Sequence, residues 1–236
     1  MAENKDVEQF YDGFSRRQNK IGINIRHYAI VNKLVKFGLK ENSTLLEAGC
    51  GVGTITQLLA KKIKSGSITA FDISQEGVEI TKSRVKDKAN IQVLKSDLLG
   101  FSTNQKFDFI LFADVLEHIP SEELKATIEH ILKFTKSNSS IVINIPDPAM
   151  NDYLRMHRPD KLQIIDNSVY VEDLIRAFDS SDFKLVFFEQ YALHHHESDY
   201  NFMVFRQRPS YENMRDQKPL SIILAKTVQR LKYLFS

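Results

Sequence analysis

The sequence has little that would indicate a disulfide framework, a cysteine-rich metal site or a membrane protein. It contains a single cysteine, Cys50, which excludes an intramolecular disulfide framework and a zinc cluster built on cysteines. The segment from Met1 to Asp12 is polar and mixed in charge, unlike a signal peptide. No apolar run approaches the length needed to span a bilayer. We therefore expect a cytoplasmic protein.

An excess of charge of one sign is also missing. The 32 basic and 30 acidic residues give a net charge of +2, which does not favour a nucleic-acid partner. With 236 residues, of which 42% are hydrophobic and 26% charged, the composition is typical of one globular domain that has short additions and a full core.

The most informative feature that is present is a glycine-rich turn in a βαβ pattern. Gly49, Gly51 and Gly53 follow an apolar stretch, and Asp72 comes 19 positions after Gly53. Glycines let the backbone turn sharply and approach a ligand closely, and a carboxylate at this distance binds ribose hydroxyls in βαβ units. Thr54 replaces the third glycine of a dinucleotide fingerprint, and no Gly-Lys-Ser/Thr sequence follows. A nucleoside ligand without a pyrophosphate therefore fits better.

Alternating strand and helix patterns from Thr44 onward predict an α/β fold. Such alternation is typical of a parallel sheet with helices on both faces. The last two strands have no helix between them, so we expect them to pair antiparallel. Strands are predicted at 44–48, 67–71, 91–95, 107–112, 140–145, 183–190 and 200–207, and helices at about 53–64, 75–87, 121–135 and 171–179.

Three further segments surround or interrupt this core. Residues 1–40 contain a long helical pattern and are interpreted as an N-terminal helical cap before a domain at 41–208. Residues 146–170 follow the end of a strand, at the edge where open α/β sheets bind ligands, and are predicted to be a substrate-side insertion. Residues 209–236 remain as a C-terminal addition.

The C-terminal addition is predicted to be a basic amphipathic helix. Apolar residues recur at three- and four-residue steps within 218–235, and no acidic residue occurs from 217 to 236. Such a helix can lie on an anionic membrane surface, or its apolar face can dock on the domain or on a second copy to form a homodimer. The apolar residues are Leu220, Ile223, Leu224, Val228, Leu231 and Leu234, and the basic ones are Lys218, Lys226, Arg230 and Lys232.

Four motifs together indicate a family. The segment 47–53, Glu-x-Gly-x-Gly-x-Gly, resembles the first motif of the class I S-adenosylmethionine (SAM) dependent methyltransferases. The segment 115–119, Val-Leu-Glu-His-Ile, is similar to the subgroup that includes the ubiquinone and menaquinone biosynthesis methyltransferases. The resemblance implies SAM as cofactor and a Rossmann-like sheet of seven strands, mostly parallel, with an antiparallel last strand. The other motifs, at 68–72, 95–98 and 107–114, follow in the family's order, and the resemblance covers about residues 40–208.

The resemblance also implies roles in SAM binding; the alternative for each acidic residue is an ordinary strand-end acid of an α/β fold. The glycine turn would pass under the methionine part of SAM, and Glu47 would fix its ammonium group directly or through water. Asp72 would accept both ribose hydroxyls through its two oxygens. The implied cofactor-binding residues are Glu47, Gly49, Gly51, Gly53, Asp72, Ile73 against the adenine, Asp97 and Leu98 at its amino group, and Asp114 towards the reacting methyl.

Methyl transfer from a sulfonium is an in-line displacement, so the protein mainly aligns the nucleophile and excludes water. A general base matters only when the acceptor has a proton that must leave early. Asp114, His118 and His27 are the candidate catalytic residues. Against this, His118 can simply hold the loop after the fourth strand, and His27 can pack within the cap.

Two other clusters have less specific interpretations. His157, with Tyr153, Arg155, Arg158 and Lys161 of the same segment, would bind an anionic acceptor or form a solvated loop. The run 194–196 contains three consecutive histidines, but adjacent residues of a strand point to opposite faces, so we do not expect a metal site there.

The absence of one motif narrows the class of molecule that could accept the methyl group. Methylases of nucleobase or glutamine amino groups commonly have Asn/Asp-Pro-Pro-Tyr/Phe after the fourth strand, whereas this chain has Ala-Asp-Val-Leu at 113–116. We therefore predict transfer to oxygen or nitrogen of a small-molecule or lipid- or glycan-linked acceptor, with oxygen preferred because several potential bases surround the predicted mouth. The alternatives are a protein methyltransferase, a nicotinamide-dependent oxidoreductase and a non-catalytic SAM-binding scaffold.

Overall fold

The computed structural model describes residues 4–163, 165–208 and 218–234. Within them, seven strands form one sheet and eight α-helices flank or extend it. The strands are β1 (Thr44–Ala48), β2 (Ser67–Asp72), β3 (Ile91–Lys95), β4 (Phe107–Ala113), β5 (Thr135–Pro146), β6 (Phe183–Tyr191) and β7 (Tyr200–Gln207). The helices are α1 (Asn4–Ile21), α2 (Ile25–Lys36), α3 (Thr54–Leu59), α4 (Gln75–Arg84), α5 (Leu124–Leu132), α6 (Pro148–His157), α7 (Val171–Phe178) and α8 (Pro219–Leu234).

The strand order β3-β2-β1-β4-β5-β7-β6 confirms the predicted sheet. The first five strands are parallel, and β7 runs antiparallel to both β5 and β6. The central strands β1 and β4 are apolar and buried on both faces, which is typical of parallel strands covered on both sides. The order reverses between β1 and β4, so a crevice opens at their carboxyl ends. The glycine turn follows β1 at this point.

Helices on the two faces of the sheet enclose two separate hydrophobic cores. Residues of α2, α3 and α4 pack on one face, where Ile30, Leu34 and Val78 are fully buried. Residues of α5 and α7 pack on the other, where Leu174 and Ile128 are buried against strand residues. Both faces of the strands that end at the crevice are therefore held by close packing.

The boundaries of several predicted elements differ from the structure. The helix predicted at 53–64 is α3, which ends at Leu59, because the amides of residues 64–66 instead donate to the Glu41 carbonyl ahead of β2. The strand predicted at 140–145 is longer and begins at Thr135. The predicted N-terminal helix is divided into α1 and α2 by Gly22, with φ +71°, and by the cap residue Asn24.

The segment 146–170, for which the sequence predicted no helix, contains α6. Asp147 caps α6 by accepting a hydrogen bond from the Ala149 amide at 3.0 Å, and Pro148 occupies the first helical position, where proline is tolerated. The residues after α6 return to the end of β4. There the Asn167 amide donates to the Glu117 carbonyl at 2.7 Å. The segment thus forms one wall of the crevice.

The C-terminal helix α8 stands apart from these layers, and each of its residues is exposed. No helix among the described residues has both the length and the apolar character that crossing a bilayer requires.

Candidate functional site

The glycine turn needs glycine both for its backbone and for space. Gly49, Gly51 and Gly53 have φ values of +72°, +53° and +73°, a region that side chains with a Cβ rarely adopt. A Cβ on Gly49 would lie 2.5 Å from Cγ2 of Val115, and one on Gly53 would lie 2.7 Å from Cγ2 of Thr81. The turn is therefore fitted closely between the end of β4 and α4, with its backbone at the crevice.

Asp72 fixes the turn to the start of α4. Its carboxylate accepts hydrogen bonds from the Gly51 amide at 2.7 Å and from the Ser74 amide at 2.9 Å. Burial raises the pKa of Asp72, and these two backbone hydrogen bonds oppose the rise. A carboxylate accepts roughly four hydrogen bonds, so Asp72 keeps capacity for ligand hydroxyls.

Glu47 is at the carboxyl end of β1 beneath the turn. Its Oε2 accepts a hydrogen bond from the Thr56 hydroxyl at 2.7 Å, and burial raises its pKa to about 8. A cation placed beside Glu47 would favour its ionised form. The neighbouring Cys50 is buried too, and burial raises the pKa of its thiol well above the ordinary value. This makes Cys50 a poor nucleophile.

The remaining predicted cofactor residues lie along the same edge of the sheet. Ile73 and Leu98 are half-buried, whereas Asp97 is exposed and accepts a hydrogen bond from the Gly100 amide. The Ser96 amide donates to the Asp72 carbonyl at 3.0 Å, which joins the ends of β2 and β3. The structure thus brings the ends of β1, β2 and β3 together with the glycine turn.

Helix α1 lies across this edge, a contact that the sequence did not indicate. Asp12 accepts a hydrogen bond from the Ser74 hydroxyl at 2.6 Å and from the Glu76 amide at 3.2 Å. The buried Ser15 hydroxyl is 3.3 Å from that of Ser74, and a Cβ on Gly51 would lie 3.2 Å from Oε1 of Gln18. The predicted cap therefore covers the turn and the start of α4.

Asp114 is the centre of a buried polar cluster at the end of β4. It has φ +56°, the one positive value found on a residue other than glycine in the described ranges. Its Oδ2 is 2.8 Å from Nη1 of Arg26, and the same nitrogen donates to the Tyr200 hydroxyl at 2.9 Å. Burial raises the pKa of Asp114, while the Arg26 charge opposes the rise. Helix α2 of the cap thus contributes a cation to the crevice.

His118 lies next to this cluster and is held as a cation. Its Nδ1 is 2.8 Å from the Ile165 carbonyl and 3.2 Å from Oδ1 of Asp166, and its Nε2 is 3.7 Å from Oε1 of Glu117. Burial by itself would lower the pKa of His118, but Glu117 and Asp166 outweigh it and raise the pKa to about 9. A histidine that is protonated at neutral pH can donate hydrogen bonds, and it can act as a base only after it has lost its proton.

His27 occupies a different position, at the start of α2. Its Nδ1 accepts the Asn24 amide at 3.0 Å, and its Nε2 is 3.2 Å from the Thr54 hydroxyl. Burial lowers its pKa to about 4, with the Arg26 charge acting in the same direction. Since both ring nitrogens are engaged, His27 caps α2 and packs the cap on α3.

The two arginines of the 146–170 segment pair with acceptors of that segment. Arg155 donates to Asp152 at 2.8 Å and to the Asp166 carbonyl at 2.6 Å, and Arg158 donates to Asp160 at 3.2 Å. The three histidines at 194–196 are exposed. Across the described ranges, no three His, Cys, Asp or Glu side chains are grouped so that they could hold a metal ion.

Arg26, Glu117, Asp166 and Tyr200 were missed as site residues by the sequence analysis. Glu117 lies within a segment that the resemblance highlighted, but its own burial could not be seen there. Arg26 and Tyr200 come from opposite ends of the chain, 174 positions apart. Their pairing follows from the packing of α2 against β7, which leaves no local pattern.

Comparisons with known proteins agree with this geometry. Residues 45–138 match the model of the methyltransferase domain family. The chain is 27% identical over 134 residues to malonyl-[acyl-carrier protein] O-methyltransferase of Priestia megaterium, covering 57% of this chain and 46% of that protein. It is 33% identical over 87 residues to nodulation protein S of Sinorhizobium fredii, covering 37% of this chain and 39% of that protein. The matches thus span less than half the length of these relatives.

A solved structure extends the likeness to most of the chain. Magnesium protoporphyrin IX methyltransferase from Synechocystis PCC 6803, with S-adenosylhomocysteine (SAH) bound, superposes with a TM-score of 0.69 at 17% identity. The superposition covers 88% of this chain and 100% of that one, and at this identity it shows the fold. Residues 45–138 therefore match the methyltransferase domain family, and the seven-stranded sheet, with the glycine turn at its switch point, has the fold of this methyltransferase structure.

Proposed function

We propose that the protein transfers the methyl group of SAM to an oxygen or nitrogen of a small-molecule or carrier-linked acceptor. The observation that supports this most is the pairing of two sites at one crevice: the glycine turn with Asp72, and the buried polar cluster at Asp114. Relatives include a malonyl-[acyl-carrier protein] O-methyltransferase and a coclaurine N-methyltransferase, so both kinds of acceptor atom occur among them.

The cofactor residues keep the roles that the motifs suggest. Gly49, Gly51 and Gly53 would run beneath the methionine part, with Glu47 at its ammonium group. Asp72 would accept the ribose hydroxyls, Ile73 would pack on the adenine, and Asp97 with the Leu98 backbone would bind its amino group. The common edge of the sheet supports this assignment, since all these residues lie within one crevice.

For the chemistry, Asp114, His118 and His27 remain the proposed residues, with different tasks. SAM supplies an electrophilic methyl carbon when bound, so the chain's residues orient the nucleophile and exclude water. Asp114 would face the reacting methyl, with Arg26 fixing its orientation. His118, held as a cation, would bind or orient the acceptor. His27 would act indirectly, because both of its ring nitrogens already have partners.

Calorimetric titration with SAM, SAH and NAD tests the cofactor. We expect SAM and SAH to bind with micromolar Kd values, within the usual range for enzyme ligands, and NAD not to bind. Binding of NAD in place of SAM would support the oxidoreductase alternative. A protein methyltransferase and a non-catalytic SAM-binding scaffold are separated afterwards by incubation with methyl-labelled SAM, since a scaffold transfers no label.

The location and the partner of α8 are further parts of the proposal. We place the protein in the cytoplasm and propose that α8 makes peripheral contact with an anionic membrane surface. The alternative is a homodimer that forms through the same face of α8. The exposed apolar side chains of α8 are accompanied by four basic residues and no acidic one between 217 and 236. A second copy would bring like charges together, whereas an anionic surface attracts each basic residue by about 1 kcal/mol.

Vesicle sedimentation tests this contact. Full-length protein should pellet with phosphatidylserine-containing vesicles and stay in solution with phosphatidylcholine vesicles. A variant ending at Arg208 should stay in solution with both. Equal sedimentation of the two proteins would rule out the membrane contact, and a dimer found only for the full-length chain by light scattering would favour the homodimer.

A further inference from the structure

Buried polar atoms without hydrogen-bond partners are concentrated at the end of β4. Among the described residues they include both carboxyl oxygens of Glu117, the Tyr11 hydroxyl and Nε of Arg26. The Glu117 side chain is only 2% exposed. A buried carboxyl group without hydrogen bonds is unfavourable in either protonation state, and most of all when it is ionised, so this site can take a hydrogen-bond partner from outside the chain.

The donors nearest to Glu117 are engaged elsewhere. His118 directs Nδ1 at the Ile165 carbonyl and Asp166. Its Nε2 is 3.1 Å from the Gln163 side-chain amide and 3.7 Å from Oε1 of Glu117, which is beyond hydrogen-bond distance. The guanidinium of Arg26 is directed at Asp114 and Tyr200. Neither cation satisfies the Glu117 oxygens.

Five ionisable groups and two phenols face this space. Asp114, Glu117 and Asp166 are three carboxylates, and Arg26 and His118 are two cations. The phenols of Tyr11 and Tyr200 also face the space. Burial and the charge of Glu117 or Asp114 raise the pKa of both phenols, so they stay neutral. With all five groups ionised the site would have one negative charge in excess. Burial raises the pKa of Glu117 to about 8, so this carboxyl group is largely protonated at neutral pH, and a cation beside it would favour its ionised form.

We infer that Glu117 is the catalytic residue that receives the nucleophile of the acceptor, and that this nucleophile is an amine. The inference rests on the proposed methyl transfer and names its substrate class. An ammonium group brings a positive charge and several N–H donors for two unpartnered oxygens, whereas a hydroxyl brings one donor. A carboxylate acceptor would add a further negative charge and no donor.

This choice differs from two expectations raised by the sequence. The anionic acceptor was suggested by the cations of the 146–170 segment, but Arg155 and Arg158 pair with acids of that same segment. Oxygen was preferred because of nearby bases, but the most deeply buried free carboxylate suits an ammonium group better.

The proposed reaction transfers one proton to Glu117 and one methyl group to the amine. The bound ammonium gives one proton to the Glu117 carboxylate, which leaves a neutral amine with a free lone pair. The amine attacks the methyl carbon, the carbon–sulfur bond breaks, and its electrons go to sulfur. The positive charge thereby passes from the sulfonium to the methylated nitrogen. Burial raises the pKa of Glu117 to about 8, which favours its holding the proton. Glu117 returns that proton to solvent after product release.

Sinefungin provides a probe that needs no knowledge of the acceptor. In this SAM analogue an amine-bearing carbon replaces the sulfonium and its methyl group, so it places an amine where the nucleophile would meet the methyl. Binding of SAH and sinefungin would be compared by calorimetry in wild type, Glu117→Gln and Glu122→Gln. Glu122 is exposed and close in sequence, so its variant controls for the change in net charge.

We expect sinefungin to bind wild type about tenfold or more tightly than SAH, as for a charge-assisted hydrogen bond. Glu117→Gln should bring this ratio close to one without changing the affinity for SAH, and Glu122→Gln should behave as wild type. If SAH binds but wild type shows no preference, or if Glu117→Gln keeps it, the inference is wrong. If neither ligand binds wild type, the proposed function itself fails.

Discussion

Replacing Asp72 with alanine should weaken SAM binding by about 1.5–3 kcal/mol, which is roughly ten- to a hundredfold in Kd. The carboxylate lies at the end of β2 within the crevice, where it already orders the turn through the Gly51 and Ser74 amides. The variant would therefore lose direct contacts with the ligand and also the arrangement of the turn. Both losses act in the same direction on Kd.

Calorimetry with SAM and SAH measures this effect, and two further variants make it interpretable. Asp87→Ala removes an exposed carboxylate beyond α4 and should bind both ligands as wild type does. Asp72→Asn keeps one acceptor oxygen for a backbone amide, so it should fold as wild type and still bind SAM weakly. Unchanged affinity in Asp72→Ala would show that the motif has been assigned to the wrong residues.

Replacing Arg26 with alanine should lower the free energy of unfolding by about 3–5 kcal/mol, because it leaves the buried Asp114 carboxylate without its partner. The two side chains are 20% and 14% exposed and lie 2.8 Å apart. Arg26 also binds the Tyr200 hydroxyl at 2.9 Å, so the variant loses a contact between α2 and β7 as well. This is the largest effect on stability that we expect from a single substitution in the crevice.

Urea denaturation measures the loss, and a double variant identifies its cause. Arg26→Ala with Asp114→Asn should regain much of the stability, since no charge is then left buried. Arg16→Ala, which breaks an exposed pair with Glu76 at 3.5 Å, should change stability by less than about 1 kcal/mol. Equal losses in the two single variants, or no recovery in the double variant, would contradict the explanation.

The pH dependence of Arg26→Ala gives an independent check. Burial raises the pKa of Asp114, and without Arg26 the largest group that opposes this rise is lost, which leaves the His118 charge and the Asn144 hydrogen bond. The folded state then binds a proton that the unfolded state has lost, so stability is present below the unfolded pKa and falls as pH rises through the folded one. The difference from wild type should therefore be smaller near pH 4 than near pH 8.

The sequence predicted the sheet well because strand pattern and function coincide there. Apolar strands followed by Gly49 or Asp72 have a local sequence signature, because the geometry of the turn and the expected ligand contact both restrict the residue types at the same few positions. Helix α6 was missed for a local reason too: Asp147-Pro148 looks like a break, although aspartate and proline at these positions begin a helix.

The acceptor side of the crevice could not be derived in the same way. His118 contacts the carbonyl of Ile165, which lies 47 positions later in the sequence. Arg26 contacts Asp114 only because α2 packs beside the sheet. Contacts between distant segments have no period and no spacing rule. The absence of partners for Glu117 is still less visible, because it depends on every neighbouring group at once.

The position of α1 bears on the kinetics of turnover. Its described contacts with the start of α4 are largely polar, through Asp12, Ser15 and the exposed pair of Arg16 with Glu76. A helix held in this way detaches at a small fraction of the global unfolding free energy. Because α1 lies over the glycine turn, we expect SAM bound at the turn to exchange only when α1 moves aside. The residence time of the cofactor should then follow the opening rate of α1, a segment remote from the reacting atoms.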